Sequence, residues 1–266
     1  MTNNTGKMIS PALDVGLVAN DFEAMMAFYR EGLGMLEIDK FELPGTLLTR
    51  FQAGPGVLKF NQQPAHTPVL DLGEFSSSRG MKLVTIAVPD LQATSKKLQA
   101  AGFPELTIQD MGHLSVAFTK DPNNSPVELL GIAGSAEEPA IQAIGFTVGD
   151  MDASRSFFTD VLGFTEGSTE PIPSLNTDKV EFAAGATTLK LWQINNLPAH
   201  TGPIQAYAGI RYLTAVVDEM DAVISRAHGA GHPVPLAPTE IAPGLHIAMI
   251  EDPDGNWFEL VEIKQA

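Results

Sequence analysis

The sequence predicts an α+β fold made of four βαβββ modules, and three observations carry that prediction. First, an apolar, β-rich run followed by an acidic residue and then by helical spacing occurs four times. The runs begin at Leu13, Leu83, Ala143 and Arg211, with Asp21, Asp90, Asp150 and Asp218 at the junctions. Second, each helical stretch ends near glycine (Gly34, Gly102, Gly163 and Gly231) and gives way to short alternating runs bounded by turn residues, such as "VLKFN", "LSVAFTKDP", "TTLKLWQI" and "LHIAMIEDP". Third, a longer period spans the chain: Lys59 recurs as Lys190 and Glu128 as Glu259, each 131 residues on, and "KDPNNSPVELL" recurs as "EDPDGNWFELV". The chain therefore divides into a first domain over residues 8–132, a small, acidic linker over 133–140 and a second domain over 141–264.

Each element has a local reason. The junction aspartate is placed to accept the unpaired amides of a helix N-terminus, as an N-cap or first-turn residue. In the first helix the "EAMMAF" stripe reads as core. Where strands follow, Lys59 stands between Leu58 and Phe60, Lys190 between Leu189 and Leu191, Glu128 between Val127 and Leu129, and Glu259 between Phe258 and Leu260. Strand alternation then turns these four charges to the face opposite the helices.

Composition excludes several classes of function. At 266 residues and 44% hydrophobic, the chain can bury ordinary cores. Its 32 acidic against 16 basic residues leave a net charge of −16 and no basic stripe, so nucleic acid is not an expected partner. There is no cysteine, which excludes disulfides and thiolate sites and fits a reducing compartment. No apolar run reaches the ~20 residues that span a bilayer. A cytoplasmic monomer or homodimer acting on a small molecule is expected, with no membrane partner, and the Asn-X-Ser/Thr matches at Asn3 and Asn123 are chance.

The helix from Asp21 to Gly34, its copy "DMDASRSFFTDVLGF" from Asp150 to Phe164, and the terminal "DPDGNWFELVE" resemble the vicinal oxygen chelate superfamily of glyoxalase, bleomycin-resistance and extradiol-dioxygenase proteins. The resemblance runs from about Pro11 to Lys264. It implies two domains with cupped mixed sheets, each cup offering up to four side chains for a divalent metal. Counting seven residues upstream of each junction aspartate puts the first-strand positions at Asp14, Leu83, Ala143 and Arg211. The later-strand positions are Lys59 and Lys190, and the last-strand positions are Glu128 and Glu259. Lysine and arginine bring cations to places where a metal needs lone pairs, so no metal or other cofactor is expected. A divalent ion held by Asp14, Glu259 and His246 is the alternative.

Two pairings of the modules are open. Adjacent pairing gathers Asp14, Lys59, Leu83 and Glu128 in one cup and Ala143, Lys190, Arg211 and Glu259 in the other. Crossed pairing of the first module with the fourth gathers Asp14, Lys59, Arg211 and Glu259, two acids and two bases in one cup. The candidate catalytic residues are Glu259, Lys59, Asp14 and His246. Candidate substrate-binding residues are Arg211, Lys190, Glu128, Trp192, Trp257, and His66 and His200 in the two "PAHT" segments. His113, His228 and His232 read as solvated. The expected function is metal-independent proton-transfer chemistry of isomerase, epimerase or lyase type on a small oxygenated molecule. The alternatives are a sequestering protein of bleomycin-resistance type, and a divalent-metal glyoxalase or dioxygenase.

Overall fold

A computed structural model describes residues 5–43, 45–63, 67–69, 76–132, 137–199 and 202–264. The four modules follow the expected order. The first consists of β1 (Asp14–Ala19), α1 (Phe22–Met26), β2 (Glu37–Leu43), β3 (Thr46–Ala53) and β4 (Gly56–Gln62). The second has β5 (Gly80–Val88), α2 (Leu91–Ala100), β6 (Gln109–Asp110), β7 (Ser115–Lys120) and β8 (Pro126–Gly131). In the third are β9 (Ala140–Val148), α3 (Met151–Ser156), β10 (Thr165–Ile172), β11 (Thr177–Ala184) and β12 (Thr187–Gln193). The fourth comprises β13 (Gly209–Val216), α4 (Met220–Gly229), β14 (Leu236–Ala242), β15 (Leu245–Glu251) and β16 (Trp257–Ile263).

Asp21, Asp90 and Asp150 cap their helices, each carboxylate accepting the amide three residues on. The fourth module departs from this pattern: its N-cap is Glu219, which makes no side-chain capping bond, and Asp218 instead accepts the Lys7 amide at 2.6 Å. Helices α1 and α3 both widen into a π-helical turn, Ala27–Gly32 and Phe157–Val161. The widened turns bury Phe28 and Tyr29 in one half and Phe157 and Phe158 in the other.

Pairing of the modules is crossed. One eight-stranded sheet runs β14-β15-β16-β13-β1-β4-β3-β2 and the other β10-β11-β12-β9-β5-β8-β7-β6. Within each module the first and last strands lie side by side and parallel, and two modules join through antiparallel first strands, β1 with β13 and β5 with β9. Each sheet thus takes one module from either side of the 133–140 segment, of which 133–136 lie outside the described residues. A single apolar cluster with members from all four modules fills the space on the helix side, including Leu58, Phe60, Leu129, Leu189, Phe258 and Leu260.

Buried turns tie the sheets to each other. Asp121 accepts the Ser125 amide at 2.8 Å and the Tyr29 hydroxyl at 3.0 Å, and Asn123 donates to the Val18 carbonyl at 2.8 Å. Asp252 accepts amides of Asp254 and Asn256 and the Asn256 side chain, while Asp254 accepts from Arg79 at 2.9 Å. Burial raises the carboxyl of Asp121 to about 6 against hydrogen bonds that favour its charged form, and burial likewise raises Asp252 to about 7. Because both folded-state values lie above the ordinary 3.8, the folded protein holds protons that the unfolded chain has released. Their contribution to stability is complete below pH ~4 and is lost as pH rises through about 6 and 7. We therefore expect the melting temperature to fall between pH 5 and pH 8. Asp121→Asn, an isostere of the protonated acid that can still meet Tyr29, should flatten the lower part of that slope. An unchanged slope in the variant would refute the assignment.

Candidate functional site

Crossed pairing brings three of the expected residues together. In register, Asp14 faces Thr214 across β1/β13, Gly16 is beside Lys59 across β1/β4, and Thr214 is beside Glu259 across β13/β16. The two seam strands, β1 and β13, and their neighbours β4 and β16 thereby aim Asp14, Lys59, Thr214 and Glu259 at one point on the concave face. Lys59 Nζ donates to Glu259 Oε2 at 2.8 Å and to Thr214 Oγ1 at 2.7 Å, and lies 3.5 Å from Asp14 Oδ2. Thr214 in turn donates its hydroxyl hydrogen bond to Glu259 Oε2 at 2.6 Å. Asp14 is steadied on its other oxygen by the Val57 amide at 3.0 Å.

The electrostatics follow from burial and from these neighbours. Burial opposes the charge on Lys59, but the attraction of Glu259 and Asp14 overcomes it and holds the ammonium above its ordinary value. Burial also raises the carboxyl of Asp14, only partly offset by Lys59 and the Val57 amide. The floor is completed by Tyr212, whose ring lies 5.7 Å from Lys59 Nζ and whose hydroxyl accepts from Asn61 Nδ2 at 3.1 Å. Burial, with Glu259 nearby, pushes the Tyr212 phenol up to about 12, so it is neutral at physiological pH. The ring can lie there because position 16 is glycine: a Cβ would come within 2.1 Å of it.

The second cup repeats this arrangement one member short. Thr85 donates to Glu128 Oε2 at 2.6 Å and Lys190 Nζ donates to the same oxygen at 3.3 Å. Ala143, facing Thr85 across β5/β9, stands in the place of Asp14. Trp192 holds the place of Asn61, its ring over Gly145 and its Nε1 donating to Thr147 Oγ1 at 2.8 Å.

The structure separates the other candidates. Arg211 sits where the β13 register slips, between Ile210 and Tyr212, and donates to the carbonyls of Gly202, Pro203 and Ile204 while stacking on Tyr207. It braces the segment that leads into β13 and makes no bond to the Lys59 network. Trp257 shares the cup face with Glu259, and its Nε1 is buried without a hydrogen-bond partner. His246 alternates with Met249, which faces Glu259, and so falls on the helix side beside Ala248 and Ile250 rather than in the cup. His66 and His200 lie outside the described residues.

Thr214 and Thr85 were missed by the uniform seven-residue count. In the second and fourth modules the hydroxyl lies five residues before the cap, Thr85 before Asp90 and Thr214 before Glu219, two along the same strand face from Leu83, which lines the second cup, and from Tyr212, which floors the first. A hydroxyl recurring 129 residues apart, Thr85 and Thr214, was the available signal.

A divalent ion does not fit this set. An ammonium occupies the centre of the cup, between the two carboxylates that would have to be ligands. Among the described residues no three His, Asp or Glu side chains converge to hold one elsewhere. Nor is any helix among them long and apolar enough to cross a membrane.

Seam-joined βαβββ modules with a charged concave face define a class, and the comparisons agree with it. The family model for the glyoxalase/bleomycin resistance protein/dioxygenase superfamily matches residues 12–129 and 140–260, and the chain belongs to that superfamily. Among curated proteins none matches its sequence. Glyoxalase I from Zea mays shares the fold at a TM-score of 0.75 with 18% identity, over 97% of this chain and 92% of that one. A protein described as a putative dioxygenase from Bacillus subtilis aligns at a TM-score of 0.69 with 14% identity, covering 98% and 87% of the two chains. At these identities the likeness concerns fold alone.

Removing the hydroxyl that bridges Lys59 and Glu259 tests the network directly. Thr214→Val should lower stability by about 1–3 kcal/mol, read by chemical denaturation, because it leaves a buried donor and acceptor unmatched. A loss below about 0.5 kcal/mol would mean that the bridge carries no weight.

Proposed function

We propose that the first cup performs metal-independent proton transfer next to a carbonyl or hydroxyl of a small oxygenated molecule, in an isomerase-, epimerase- or lyase-type reaction. The observation that carries this reading is the contrast within the network. Glu259 accepts from both Lys59 and Thr214, whereas Asp14 keeps its longest contact to Lys59, is the most exposed of the three ions and has a raised carboxyl pKa. Asp14 is then the proton carrier. As it takes a proton from carbon, its own charge is lost and negative charge develops on the substrate oxygen. The Lys59 N–H that faced Asp14 can turn to that oxygen, so the cation follows the charge at little reorganisation. Glu259 and Thr214 act as positioning residues that hold the ammonium. The surplus of acidic residues and the absence of cysteine support a cytoplasmic setting with a small-molecule partner.

Sequestration of a small molecule is the second reading, supported by the aromatic wall of the second cup and by its lack of an Asp14 counterpart. Deuterium separates the two. In D2O, a panel of hydroxyketones and oxo acids should include compounds whose α-hydrogen exchanges faster with the protein than without it, by NMR. Asp14→Asn should reduce that exchange by at least ~100-fold, the usual worth of a positioned acid or base. With the sign of its shift, exchange should fall on the acid side as Asp14 becomes protonated, at a pH above its ordinary value of 3.8. Binding without exchange, or exchange untouched by Asp14→Asn, would overturn the proposal.

A further inference from the structure

The second cup differs from the first in chemistry as well as in position. It holds a pocket of about 400 Å³ walled by Leu83, Phe118, Ile172, Leu175 and Trp192. Phe118 is 56% exposed, although it lies opposite Glu128 in the β7/β8 register and faces the pocket. Its ring is an uncovered aromatic surface beside the buried, flat face of Trp192. Lys190 forms the polar floor. Lys59 has three acceptors, in Glu259, Thr214 and Asp14, while Lys190 bonds to Glu128 at 3.3 Å and has Glu181 opposite it across β11/β12, near enough for its charge to be felt. Ala143 accounts for the difference, since it brings no carboxylate where Asp14 stands in the first cup. In the first network one lysine meets two carboxylates, whereas the second pocket is lined by two lysines, Lys179 and Lys190, and two carboxylates, Glu128 and Glu170, with Lys179 already paired to Glu170 and Glu181.

We propose that the second cup is a non-catalytic binding site for a planar aromatic molecule bearing one anionic oxygen group, a carboxylate or phenolate. The ring lies between Phe118 and Trp192, and the oxygen accepts from the Lys190 ammonium in the place left by Ala143. Stacking and apolar contact supply the affinity, and the Lys190 ammonium, whose hydrogen bond to Glu128 is long at 3.3 Å, sets the orientation. Without a counterpart of Asp14, the cup has no proton carrier, so a ligand leaves it unchanged. The inference extends the sequestering reading to this one cup and does not depend on proton transfer at Asp14.

The test uses 2-naphthoate and the full-length protein, with isothermal titration calorimetry as the readout. Two tryptophans serve as local reporters, because Trp192 lies in the second cup and Trp257 faces the first. We expect saturable one-to-one binding that changes Trp192 emission in a Trp257→Phe protein. Ala143→Asp restores the missing carboxylate and should raise the Kd at least tenfold, by satisfying Lys190 and repelling the ligand. Phe118→Ala, at an exposed position that does not risk folding, should raise it roughly five- to tenfold through loss of stacking. Asp14→Asn should leave the Kd unchanged, which keeps this test apart from that of the first cup. Naphthalene-2-methanol, of the same shape but without charge, should bind at least tenfold more weakly. No binding at millimolar naphthoate, an unchanged Kd in Phe118→Ala with the ligand still bound, or a loss in Asp14→Asn would each overturn the proposal. Should Ala143→Asp fail to fold, Phe118→Ala and the uncharged analogue decide alone.

Discussion

The seam between β1 and β13 is the constraint on which the first site depends. Neither four-stranded module can gather the network alone, because β1 and β4 bring only Asp14 and Lys59, and β13 and β16 bring only Thr214 and Glu259. Placing Asp14 opposite Thr214 sets all four distances at once. A slip of one residue at this seam would put the Asp14 and Lys59 pair on the opposite face from Thr214 and Glu259. The same logic runs through β5 and β9 in the second sheet, where Thr85 faces Ala143.

Having fixed the seam, the fold must also support a buried cation. Lys59 is costly to bury and is tolerated because its donors find Glu259, Thr214 and Asp14 within one cup. In this arrangement the ammonium takes the centre that a metal would require. The positive charge at this centre is supplied by the chain itself, fixed to a strand.

Duplication gave the chain two such cups, and they have diverged at few positions. Asp14 against Ala143 decides whether the first strand adds a carboxylate to the lysine, and Asn61 against Trp192 sets an amide beside Tyr212 in one cup and an indole beside Leu83 in the other. Each exchange puts a less polar side chain in the second cup than in the first. Because the sheets share one apolar core on their helix side and are cross-tied by the Asp121 and Asp252 turns, the two cups remain parts of one folded unit.

Much of this was legible in the residues themselves. Four junction aspartates, the 131-residue recurrence and period-2 alternation around Lys59, Lys190, Glu128 and Glu259 established the modules and the face on which the charges lie, because those signals are local. The match of "DPDGNWFELVE" and its partners to a known superfamily was legible for the same reason. Three things were not. Adjacent and crossed pairing satisfy the same local pattern, so only long-range sheet contacts chose between them. The hydroxyls Thr85 and Thr214 lie two residues beyond the first face position of their strands, and the fourth helix is capped by Glu219 and not Asp218, so the uniform count kept Leu83 in its cup but fell on Arg211, where the register of β13 slips. His246 and Arg211 have the right chemistry for a site, but strand parity turns one to the helix side and a slip in register commits the other to bracing a loop. Alternation and capping act over a few residues and are written in the chain, whereas register and seam are settled by which distant strands bury each other's apolar faces.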